Sequence, residues 1–245
     1  RSISGSNIRI NGGSSLNLIG NNTGITGTLT LNGINGIAIG NSNAFGSATV
    51  NLIAAEVVGG TTRGVAISNN FSFSNTYYQN GFGLTLNGTL TLTGGGQGFQ
   101  TWAALSDTVQ AGAVSLGANN LNVGGGAVGG LRISGNISGT GGVAKSGTSA
   151  LTLSGSNSYT GATTVTAGRL NFNSTSNTSD LTVSNTGTIL AGEGLSSNAI
   201  TLGTGGILAV DPSTPASLST TGALSIPGAV TLALEPTQAM TAGVN

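Results

Sequence analysis

Residues 142–170 read Gly-Val-Ala-Lys-Ser-Gly-Thr-Ser-Ala-Leu-Thr-Leu-Ser-Gly-Ser-Asn-Ser-Tyr-Thr-Gly-Ala-Thr-Thr-Val-Thr-Ala-Gly-Arg-Leu. The stretch forms two short strands that alternate apolar and polar side chains, with Gly- and Asn-rich corners. An alternation of period two places aliphatics on one face and Thr on the other. Strands this short have too little surface to stand alone, so they must stack.

The same pattern recurs along the chain. Period-2 runs ended by Gly or Asn are expected as strands at Asn7–Ile10, Leu16–Ile19, Thr28–Leu31, Ile37–Ile39, Leu84–Leu86, Leu131–Ile133, Arg169–Phe172, Ile200–Leu202 and Ala229–Leu234, among others. Helix signals are sparse. The best helix candidate is Ser47–Val58, although Val50, Ile53, Val57 and Val58 are β-branched. Two architectures suit such strands: stacked sandwiches with hairpin turns, or a parallel β-helix whose coils pair with the coils above and below. Asn32-Gly33, Asn35-Gly36, Asn80-Gly81 and Asn87-Gly88 are hairpin-type dipeptides, but their flanking runs are too short for long hairpins. They suit the corners of a coil, where Gly and Asn accept positive φ. At roughly 20–24 residues per coil the chain makes about ten to twelve coils. A rise of ~4.8 Å per coil gives a rod of roughly 50–60 Å.

Composition narrows the class. Of 245 residues only 5% are charged, 44 are Gly, and neither Cys nor His occurs. Hydrophobic residues make up 37% and the net charge is zero, which is not the low-hydropathy, high-charge signature of disorder. Zero net charge with no basic stripe argues against nucleic acid as a partner. No run reaches the roughly 18 apolar residues of a membrane helix. The chain opens at Arg1 on strand-like sequence with no signal peptide, and reads as a mature piece or a fragment.

The boundaries expected from these patterns are N-terminal coils over 1–68, an aromatic-rich insertion or irregular coils over 69–110, and further coils over 111–210. A Pro-containing coil, cap or linker follows over 211–245. The aromatic segment carries Phe71, Phe73, Tyr77, Tyr78, Phe82, Phe99 and Trp102. Phe71 and Phe73 are expected to point inward and stack. Tyr77, Tyr78 and Trp102 are the candidate contact surface, suited to a sugar ring or a neighbouring subunit.

Residues Ile133–Phe172 resemble the autotransporter-associated β-strand repeat, also called the passenger-associated transport repeat. The resemblance is carried by Gly141-Gly142, Lys145, Gly147, Leu151-Thr152-Leu153, Gly155, Asn157, Tyr159-Thr160-Gly161, Thr163-Thr164-Val165, Ala167-Gly168 and Leu170. Ala162 stands where the family usually has a second Gly, and Arg169 where it often has Thr. The resemblance implies a right-handed parallel β-helix in the passenger of a Gram-negative type V secretion protein, at the cell surface or outside the cell. It implies structural roles for Gly142, Leu151, Leu153, Gly155, Tyr159, Thr160, Gly161, Val165, Gly168 and Leu170. The family's usual companions are a signal peptide and a C-terminal membrane barrel. Neither is among these residues, so a barrel is expected in the parent protein.

Chemistry is hard to find. Glu56, Asp107, Asp180, Glu193, Asp211 and Glu235 are the acidic residues, far apart in sequence. A coil could bring Asp180 and Glu193 into one region, but a glycosidase needs two carboxylates across one bond, and the expected reading is isolated solvated charges. Without His there is no Ser-His-Asp triad. A Ser-Lys arrangement would require Lys145, the only Lys, which lies within the repeat pattern. No cofactor or metal is expected: Asp-rich calcium loops are missing, and neither Gly94-Gly95-Gly96-Gln97-Gly98 nor Gly124-Gly125-Gly126 precedes Lys-Ser/Thr. The function expected is a non-catalytic extracellular structural module, a stalk or adhesin-like passenger. The alternatives are a filament subunit that polymerises with itself and a carbohydrate-binding β-helix whose partners are cell-surface glycans.

Overall fold

The computed structural model describes residues 3–60, 64–75, 77–79, 84–94, 98–100, 108–126, 129–174, 178–192, 196–210 and 219–234. The side chains of 58–60, 77–79, 100, 196–197, 210 and 234 are not among what it describes. Within these residues every regular element is a short strand and every pairing is parallel. The chain winds as a right-handed parallel β-helix.

Three faces run along the axis. The first holds seven strands, from Gly5–Asn11 to Ile137–Ser138. The second holds eleven, from Leu16–Leu18 to Leu224–Ser225. The third holds nine, from Ala66–Ile67 to Thr231–Leu234. Coil length varies: Thr163 pairs with Leu181, 18 positions on, and Leu90 with Val114, 24 positions on.

Register explains the pattern of the sequence. On the first face Leu29, Val50, Phe71, Leu90, Val114 and Ile137 stack in one column, all buried. Beside them Thr30, Asn51, Ser72, Thr91, Ser115 and Ser138 form an outer polar column. The third face repeats the scheme with Leu131, Leu151, Leu170, Leu190 and Leu208. The backbone pairing satisfies N–H and C=O groups while the inner columns close a continuous apolar core.

Two expectations are corrected. Ser47–Val58 is not helical. Thr49–Ile53 and Glu56–Gly60 are strands on the first and second faces, separated by a corner where Ala54 has φ of 46°. Val50 and Leu52 gain full burial in the columns, which outweighs the helix propensity of Ala48, Ala54 and Ala55. In the stretch around 142–170 the expected strands Ala150–Leu153, Thr163–Val165 and Arg169–Phe172 are joined by one that was not expected, Val143–Lys145. Val143–Lys145 escaped notice because a Lys stands at an inward position.

The aromatic segment enters the same stack. Phe71–Ser74 lies between Thr49–Ile53 and Leu90–Leu92 on the first face. Phe71 and Phe73 point inward and meet edge to face, with ring centroids 6.3 Å apart. Phe45 and Phe99 extend the cluster at 5.6 and 6.2 Å.

Candidate functional site

Buried polar groups concentrate in and just beyond residues 142–170. Lys145, Ser149, Asn157, Thr163, Ser174, Ser179 and Thr188 are all buried within 145–188. A buried polar group destabilises the fold unless it is hydrogen-bonded, so the partners identify what each residue does.

Lys145 occupies an inward position of the second face, in the column Val123–Lys145–Val165. Only 1% of it is exposed. Its Nζ donates to the carbonyls of Ser146 (2.6 Å), Gly147 (2.7 Å) and Ala167 (3.2 Å). An ammonium has three protons, and all three are committed. The cation thereby joins its own corner to the corner of the next coil. Burial lowers its pKa from 10.5 to about 8. The residues around it, Val123, Val165, Ser146, Gly147 and Ala167, carry no titratable side chain that could offset this.

The sign of the pH dependence follows. Below pH 8 both folded and unfolded chains carry the proton, and the folded state bears the full desolvation cost. Between about 8 and 10.5 the unfolded chain binds a proton that the folded chain does not. Stability therefore rises with pH across that window, by at most about 1.4 kcal/mol per unit. Thermal melts between pH 7.5 and 9.5 should show Tm rising for the natural chain, and a flat profile for Lys145→Met. A natural chain that loses stability over this range would contradict the assignment.

A second network lies at the opposite corner. Tyr159 is fully buried, and its hydroxyl lies 2.6 Å from Thr163 Oγ1, which lies 3.2 Å from Ser179 Oγ. Asn157 Oδ1 accepts from the Ile137 amide at 3.0 Å, and its Nδ2 donates to Ser174 Oγ at 3.2 Å. Ser174 Oγ donates in turn to the Gly155 carbonyl at 2.9 Å. Asn157 thus meets the amide at the end of the first face, where strand pairing stops. At earlier corners the amide groups of Asn22 and Asn69 donate instead, Asn22 Nδ2 to the Ala44 carbonyl and Asn69 Nδ2 to the Gly46 and Ala48 carbonyls.

The remaining motif residues have plain positions. Leu151, Leu153, Val165 and Leu170 are inward and fully buried. Thr160 is exposed, and its amide donates to the Gly139 carbonyl at 3.0 Å. A Cβ on Gly142, Gly155 or Gly161 would overlap the backbone of Ala162, Gly135 or Gly141 respectively. Gly168 combines such crowding with a φ of +73°, so it is the one of these that needs both space and conformation. Sequence reasoning passed over Ser174 and Ser179, and took Thr163 only as part of the strand motif. The available signal was Thr163 itself, a hydroxyl at an inward phase between Tyr159 and Val165.

Of the other candidates, Trp102 lies outside the described residues, as do the side chains of Tyr77 and Tyr78, whose backbone forms the strand Tyr77–Gln79. Glu193 also lies outside them. Asp180 accepts from Asn198 Nδ2 at 2.9 Å. Among the described residues no three of His, Cys, Asp and Glu gather as a metal site. A groove of about 450 Å³ between the corners at 42–49 and 66–70 is lined by uncharged groups, including Ser42, Asn43, Ser68 and Asn70. The polar arrangement as a whole ties coil to coil; its donors and acceptors face the backbone rather than a cleft.

Residues 143–172 match the family model described as Passenger-associated-transport-repeat. No curated protein and no solved structure matches the chain.

Proposed function

From the premise that this chain is a β-solenoid carrying a passenger-associated transport repeat, we propose that it is a structural stalk segment of a passenger-like surface protein. Its place is outside the outer membrane of a Gram-negative bacterium, and its work is to hold length and stiffness rather than to catalyse. The match is to a structural repeat, and the one observation that supports the reading most is continuity. The second face carries its ladder through the matched coils from one end of the described chain to the other. Each coil pairs only with its neighbours, so coils are added one at a time and a chain emerging through a membrane folds as it appears. The buried Lys145 and Tyr159 networks give the repeat a unique register, a role polar core groups fill in some folds.

Negative-stain electron microscopy of the purified chain tests the reading. Straight, unbranched rods of uniform width are expected. A compact or flexible particle would refute it.

A further inference from the structure

The third face begins inside the chain. Its first strand, Ala66–Ile67, pairs on one side only, with Thr85–Leu86, although earlier coils already supply the other faces with strands such as Thr49–Ile53 and Ile37–Ile39. The bonds on the paired side fix the direction of the open one. The Thr85 amide donates to the Val65 carbonyl at 3.1 Å and the Asn87 amide to the Ile67 carbonyl at 2.7 Å. Alternation then turns the backbone polar groups of Ala66 and Ser68 toward the preceding coil. That coil offers no strand there. It crosses as the corner 40–48, with Ala44 and Phe45 buried in the core and the Gly46 and Ala48 carbonyls taken by Asn69 Nδ2. The Ala66 amide meets a side chain instead, Ser42 Oγ at 3.3 Å, and the Ser68 amide has no partner among the described residues.

The groove of about 450 Å³ opens between this edge and that corner. Its size suits a small ligand, for which sites run from about 300 to 1,000 Å³, but such sites are mostly apolar and this one is not. Ser42, Asn43, Ser47, Thr49, Ser68 and Asn70 line it with exposed, uncharged polar side chains. Hydroxyls both donate and accept, and Ser42 Oγ, accepting from Ala66, keeps its proton to give. Asn70 Oδ1 accepts from the Thr89 amide at 2.9 Å, which leaves both Nδ2 protons to give. An ion finds no counter-charge here and an apolar ligand no apolar wall. A neutral, hydroxyl-rich ligand finds donors and acceptors for each of its groups. We propose that the groove binds a short uncharged saccharide, about one or two rings long, with the Ser68 amide and the Asn43 and Asn70 side chains donating to its hydroxyl oxygens. A peptide strand added to the edge is less well served, because Ser42 already holds the Ala66 amide and little of the edge remains to pair. The site goes beyond the stalk reading, and its test does not depend on whether the chain forms rods.

The test titrates the isotope-labelled 245-residue chain with lactose, maltose, cellobiose and diacetylchitobiose at millimolar concentrations and follows its amide resonances by NMR. At least one disaccharide should shift the Ser68 amide saturably. In the double variant Asn43→Asp with Asn70→Asp its affinity should fall about tenfold or more, because two donors are lost. Aspartate at position 70 still accepts from the Thr89 amide, so the coil keeps that bond, and a circular dichroism melt matching the natural chain's confirms the fold. Three results would overturn the proposal: no shift at Ser68 with any of the four disaccharides, binding that the double variant leaves unchanged, or tighter binding at Ser68 of the neutral peptide acetyl-Thr-Val-Thr-amide, which would make the edge a peptide site.

Discussion

Replacing Gly135 by Ala is expected to unfold the central coils, lowering stability by more than about 4 kcal/mol, at the far end of single-substitution effects. Gly88, Gly112, Gly135 and Gly155 form a column, one per coil. A Cβ on Gly112 would overlap the Gly88 carbonyl oxygen, one on Gly135 the Gly112 carbonyl oxygen, and one on Gly155 the Gly135 carbonyl oxygen. The atoms in the way are backbone, and the backbone cannot yield. The Ser134 amide donates to Gln110 at 2.9 Å and the Ser154 amide to Ile133 at 3.0 Å, which sets the spacing of these coils. Gln110 Nε2 donates to the Gly88 and Gly112 carbonyls, both at 2.9 Å, and clamps the column from the core side. Making room for a methyl group means separating coils and breaking several of these bonds at once. Gly20→Ala is the matched control, since a Cβ there meets nothing within 4 Å. It should be neutral or slightly stabilising through the unfolded chain. Guanidinium unfolding followed by circular dichroism compares the two. Equal midpoints for both variants would refute the column argument.

Phe73→Ala is the next largest effect, a loss of about 3–5 kcal/mol. Phe73 is 1% exposed and stacks between Leu52 and Leu92 in its column. Its ring also reaches across the interior to Phe99 on the second face, at a centroid distance of 6.2 Å. Truncation therefore removes contacts along the axis and across it, and the rigid ladders on either side do not collapse into the space. Phe73→Leu keeps most of the volume and should cost less than about 1.5 kcal/mol. A Phe73→Ala loss no greater than that of Phe73→Leu would mean that the coils relax around the cavity.

Much of this was legible in the chain. Leu131–Ile133, Ala150–Leu153 and Arg169–Phe172 form strands with the expected bounds. Alternation is a local property, and each of these runs carries it without help from its neighbours. Lys145 was half legible. Val143 and Lys145 share a phase, so the Lys had to face the core if Val143 did, but only the coil above supplies the Ala167 carbonyl that receives it. The glycines were misjudged in cause. Corner glycines were expected to supply positive φ, and Gly147 and Gly168 do, yet Gly88, Gly112, Gly135 and Gly155 are absent from the positive-φ residues. They are Gly because another coil's carbonyl occupies the place of a side chain. Ser47–Val58 failed for a related reason. Its alanines favour a helix in isolation, and the columns that overrule them are made by residues about one coil away.

By itself, then, the sequence determined the strand period, the all-β class and the inward and outward faces, because these depend on side chains two positions apart. The tertiary structure decided the lengths of the coils, the column of close backbone contacts, and the partners of Lys145, Asn157 and Tyr159. Those contacts join residues separated by about a coil of chain, and stacking alone chooses which atoms meet.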